Sequence, residues 1–176
     1  MNHWMDILRF EPLVERLTRI DAELDRIEHA GESIDLDAHG LLDDMEDLIG
    51  EGFLLCQLYM IERKGEQRPT NPYACGPRHS GHYLAQVIYT AGNYRKHRGE
   101  WPRDESRWGP QQNNTVAMFR DAGVVESEFW LSNLLFHITT PSAPRFGTIV
   151  PRLIEWREAL DRLPQRDTPV ECDPVS

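Results

Sequence analysis

A chain of 176 residues, 40% hydrophobic and 27% charged, has the size and composition of one folded domain with a real core. A net charge of -10 argues against a duplex nucleic-acid binder that works by broad phosphate neutralisation. The acidity favours a cytoplasmic protein, or one docked on a basic partner.

The opening MNHWMDILRF lacks a basic n-region followed by an apolar block, so no secretory leader is expected. Leu13, Leu17, Ile20, Leu24 and Ile27 recur on one stripe of a 3.6-residue helix, which predicts a helix over 12–28. Pro12 is expected in its first turn and Gly31 just beyond its end. Ser33 is placed to cap a second helix over 35–64, with its stripe in Leu41, Met45, Leu48, Leu55 and Tyr59. Gly50 and Gly52 each weaken that helix by about 1 kcal/mol relative to Ala, and imply a bend or a close helix contact. DDMED at 43–47 reads as a solvated acidic face. FLLCQLYMI at 53–61 is the longest nearly unbroken apolar run, far below the roughly 20 residues of a membrane span. No membrane association is expected.

The three cysteines, Cys56, Cys75 and Cys172, form no CxxC pair and suggest neither a zinc ribbon nor a disulfide framework. Cys56 belongs to a core. Cys75, in the loop GEQRPTNPYACGPR at 65–78, is the one thiol near a base, His79. A third helix is expected over 80–99, closed by Trp101-Pro102, and a loop over 100–112. Asn113 or Asn114 would cap a short helix ending at Gly123. VVESEFWLSNLLFHI at 124–138 fits a buried helix or a strand; helix is preferred because no second strand offers to pair with it. The last helix runs over 146–163, with Pro151 in its first turns and Ile149, Leu153, Trp156, Leu160 and Leu163 in register. The polar, Pro-rich tail 164–176 is expected to be disordered. The fold class is all-α: a single-domain bundle of five or six helices over 1–163.

The third helix carries the functional pointer. At 100° per residue, His79, His82, Gln86, Tyr89, Asn93, His97 and Glu100 fall within roughly 80°, opposite Leu84, Val87, Ile88, Ala91 and Tyr94. Solvated helix faces are mostly Lys, Glu, Arg and Asp; this one is mostly groups that hydrogen-bond and shuttle protons near neutrality. A wet face poor in charge accounts for it as well. Asn93 and His97 lie about 6 Å apart along the axis, close enough to touch one small group. His82 and His97 lie about 22 Å apart and cannot share a metal ion. His79 and His82 would need a third ligand from Glu46, Asp47 or Glu51. No metal or other cofactor is assigned.

Gly92-Asn93-Tyr94-Arg95-Lys96-His97 resembles the motif of the HEPN superfamily of prokaryotic ribonucleases and toxins. That motif is Arg, four to six residues, then His, often with Asn, Asp or His directly after the Arg. The Asn and His match, while Gly92 stands where the family has Arg. The resemblance implies a metal-independent endoribonuclease of a toxin or phage-defence system, forming a 2′,3′-cyclic phosphate, or a member that has lost activity and kept its binding surface. It implies His97 as general base or acid, with Asn93 and Lys96 beside it. Arg95 or Arg78 would meet the phosphate of single-stranded RNA, with Tyr94, His82 and Tyr89 in support. It also implies a homodimer through the 80–99 helix. The competing expectation is a non-catalytic helical partner, such as an antitoxin, inhibitor or assembly subunit, facing a basic protein. Trp101, Trp108, Tyr73 and Tyr94 can stack bases, and anchoring loops is the preferred role for them.

Overall fold

A computed structural model describes residues 3–64, 71–125, 129–139 and 144–164. The tail over 165–176, Cys172 and the loop residues 65–70 and 140–143 lie outside the described residues. Among the described residues six α-helices run in the order α1 (His3–Gly31), α2 (Leu41–Lys64), α3 (Leu84–His97), α4 (Pro110–Asp121), α5 (Trp130–Ile138) and α6 (Val150–Asp161). A two-strand hairpin, β1 (Arg78–His79) and β2 (His82–Tyr83), precedes α3. The all-α bundle expected from the sequence is what forms. α2 is its centre, packed most extensively on α3 and α1 and also on α5.

The predicted α1 stripe is the buried one: Leu13, Leu17, Ile20, Leu24 and Ile27 are each at most 6% exposed. The helix itself starts earlier than expected, at His3, so Pro12 sits inside it and not in its first turn. The missing N–H of Pro12 removes one internal hydrogen bond there. The second helix starts at Leu41, later than Ser33 would place it. Asp35 takes the local capping role instead: its Oδ1 accepts from the backbone N–H of Asp37 and Ala38 in the preceding turn. Gly50 and Gly52 mark close contacts. A Cβ on Gly50 would strike the Arg95 side chain, and one on Gly52 would strike the Phe146 ring.

The third helix is shorter than expected. Ser80 (φ 47°) and Gly81 (φ 87°) both have positive φ, as a two-residue hairpin turn of the mirror-image type demands. The turn pairs His79 with His82 and Arg78 with Tyr83. Helical periodicity therefore begins only at Leu84, and Arg98–Glu100 continues past His97 as a 3-10 turn. α4 begins at Pro110 with Gly109 before it, three residues ahead of the Asn expected to cap it; Pro at the first position has its φ already set for a helix. It ends, as expected, near Gly123, whose φ is 101°. The 124–138 run is helical over 130–138. Pro151 lies in the first turn of α6, as expected, and Phe146–Thr148 forms a separate 3-10 turn before it.

Candidate functional site at the α2–α3 seam

Gln57 interrupts the apolar run of α2 and is 2% exposed. Its Nε2 donates to the backbone carbonyl of Tyr89, 3.0 Å away, and to Oδ1 of Asn93, 2.7 Å away. A carbonyl only accepts, so the amide orientation follows from the network. Gly92 faces the same side chain. A Cβ on residue 92 would lie 2.7 Å from Cβ of Gln57 and 2.9 Å from its Oε1. Position 92 therefore points into the α2–α3 contact, and the Asn93 oxygen is engaged there.

His97, with 37% of its side chain exposed, ends α3. Its Nδ1 lies 3.0 Å from the Glu100 carboxylate. A carboxylate accepts, so Nδ1 is the nitrogen that donates to Glu100. Lys96 and Arg98 on either side are exposed. Arg95 runs over Gly50 to Asp47, at 2.8 Å. Arg78 stays with its own hairpin, stacked 4.2 Å over Tyr83 and donating to the Gly81 carbonyl. The Tyr94 ring is buried, against Trp101 and Phe119, and burial pushes its hydroxyl pKa up. Tyr89 stacks on Tyr73 at 4.3 Å, and burial pushes the Tyr73 hydroxyl up to about 12. Trp101 and Trp108 pack edge to face, and the Trp108 indole N–H donates to the Pro102 carbonyl. These rings fasten the 98–109 segment to α3.

The polar stripe read along a single helix thus divides. His79 and His82 belong to the hairpin and turn toward α4: His79 Nε2 meets the Ala122 carbonyl at 3.1 Å and His82 Nε2 meets Asp121 at 3.0 Å. Tyr89, Asn93 and His97 stay on α3. Among the described residues no three His, Cys, Asp or Glu side chains gather closely enough to hold a metal ion. Cys75, the one thiol near a base in the sequence, is buried, and its thiol lies 3.4 Å from the Pro72 carbonyl.

Two polar residues with long-range roles escape sequence reasoning. Glu46, 2% exposed, belongs to the segment read as a solvated face. Its oxygens accept from the backbone N–H of Leu131 and Ser132 and from the Ser132 hydroxyl, capping α5. Gln57 carried a usable signal, since a lone amide in an apolar run must find partners when buried. Next to the Arg95–Asp47 pair lies a shallow groove of about 390 Å³. Its carboxylates come from Glu23, Asp44, Asp47 and Glu51, and its positive charge from Arg26 and Arg95.

The chain matches no family model, and it finds no significant counterpart among curated proteins or solved structures. No helix among the described residues is long and apolar enough to cross a membrane.

Proposed function

We propose that this protein is a non-catalytic helical binding protein, HEPN-like in outline, that engages a macromolecular partner as an antitoxin, inhibitor or assembly subunit does. One observation carries the reading. Gln57 fills the space beside Gly92, so the position where the motif places its Arg serves helix packing, and Gln57 Nε2 holds Oδ1 of Asn93 at the same seam. Of the cations assigned to the phosphate, Arg95 is paired with Asp47 and Arg78 with its own hairpin, while Arg98 beside His97 is exposed. A fork-shaped guanidinium is what phosphate recognition needs, and the lysine at 96 is a poorer clamp. A reducing, cytoplasmic setting suits Cys56 and Cys75, which are both buried.

The Glu100-oriented imidazole of His97 favours a second reading, a metal-independent endoribonuclease with His97 as general base. One experiment separates the two. Labelled single-stranded RNA incubated with the protein and EDTA should stay intact, with wild type and His97→Ala alike. Cleavage to 2′,3′-cyclic phosphate ends that vanishes in His97→Ala would overturn the binding-protein reading in favour of the nuclease.

A further inference from the structure

The outward face of α2, which α1 and α3 meet through the Arg16–Glu51 and Arg95–Asp47 pairs, carries two kinds of side chain, one after the other. At 100° per residue, Asp43, Asp44, Asp47 and Glu51, then Leu54, Leu58 and Ile61, fall within an arc of about 100°. The four acidic residues are exposed. Leu58 is 47% exposed and Ile61 38%, and Leu54 is half-buried. Single exposed leucines are ordinary on a protein surface. Three apolar residues at i, i+4 and i+7 are instead a seam, the pattern by which one helix receives another.

We infer that this face of α2 receives an amphipathic α-helix from a basic partner protein. The inference rests on the binding-protein reading above and adds the chemistry of the partner. Apolar residues of the incoming helix lie against Leu54, Leu58 and Ile61. Its lysines or arginines, two to three turns further along, reach the acidic stretch roughly 10–15 Å away. The groove beside Asp44 and Asp47 lies where such a cation arrives. Its own guanidiniums are already engaged, Arg95 with Asp47 and Arg26 with Glu23. Asp43 and Asp44 join no ion pair among the described residues.

Charge decides among the possible occupants. Residues 165–176 of this chain carry Asp167, Glu171 and Asp173 against the single Arg166, the wrong sign for an acidic seat. A second copy brings another net charge of -10 and another row of the same carboxylates. RNA presents phosphates to them. A basic helix alone satisfies both halves of the face.

The test uses the full chain and a capped helical peptide of about 20 residues, long enough to span the face. The peptide has leucines at i, i+4 and i+7 with lysines and arginines beyond them; its control has glutamates in place of the cations. Fluorescence anisotropy should give the basic peptide an affinity at least about tenfold above the control, falling as salt rises. Leu58→Glu should weaken it by about tenfold or more, and Asp43→Asn with Asp44→Asn should flatten the salt dependence. Both sites are exposed, and circular dichroism checks that each variant is folded. Equal binding of the two peptides, or indifference to both variants, overturns the inference. So does a dimer seen by light scattering that Leu58→Glu splits, because a second copy then owns the seam. The RNA assay reads separately. Cleavage dependent on His97 removes the binding-protein reading, whereas intact RNA with no peptide binding removes only the basic-helix partner.

Discussion

Gly92 is glycine because its neighbour on α2 leaves no room for anything else. The nearest atom to an added Cβ is the Cβ of Gln57, at 2.7 Å, and not the mobile end of that side chain. A rotamer change cannot relieve such a contact; the two helices must move apart. Gly92→Ala gains about 1 kcal/mol of helix propensity against an overpacking cost of roughly 1–3 kcal/mol. The expected net outcome is a loss of roughly 1 kcal/mol in urea unfolding. The loss should persist in a Gln57→Ala background, since alanine keeps the offending Cβ. A double mutant as stable as Gln57→Ala alone would show that the amide end, and not helix spacing, sets the cost. The departure from the motif at 92 is legible in the sequence. Its cause is not, because nothing in the string brings residue 57 beside residue 92.

At the scale of elements, α5 illustrates how a helix is decided from afar. Its apolar run fits helix or strand, and no side chain of its own caps its start at Phe129. Two of the N–H groups that a helix start leaves unpaired are taken by Glu46, 85 and 86 residues earlier. The carboxylate also lies at the positive end of the helix dipole. Glu46→Ala should cost about 2–4 kcal/mol, since it strands buried donors as well as removing the cap. Glu46→Gln should fall between that variant and wild type, because its amide keeps one acceptor. Hydrogen exchange would locate the effect: amides at 131 and 132 should lose protection first. Uniform loss across all six helices would mean that Glu46 supports the core generally and not α5 in particular. The α1 stripe could be read directly from spacing, because a helix buries what its own period presents. The hairpin at 78–83 could not, because two strands of two residues leave no periodicity and only the Ser-Gly turn betrays them.

For the molecule as a whole, closure of the chain depends on polar contacts of long sequence separation. Asp21 on α1 accepts from the backbone N–H of Phe146 and Gly147, each at 2.8 Å, while Arg145 pairs with Asp25 and Glu28 of the same helix. Phe146 is thereby set fully into the core, edge on to Phe53 over Gly52. The carboxylate at 21 works under strain of solvation. Burial raises its pKa above 3.8, and the two backbone hydrogen bonds and Arg145 only partly oppose that rise. A folded-state pKa above the unfolded one means that the native state binds more protons between the two values. The stabilising contribution of Asp21 titration is therefore full below the unfolded value and is lost as pH rises through the folded one. Asp21→Asn removes the titration and keeps a side chain of the same shape. Urea unfolding of both proteins across the carboxylate range should show wild type losing stability relative to Asp21→Asn as pH rises. The opposite slope would mean that the Phe146 and Gly147 amides outweigh burial, and that the tie between α1 and the 146–148 turn is strongest with Asp21 ionised.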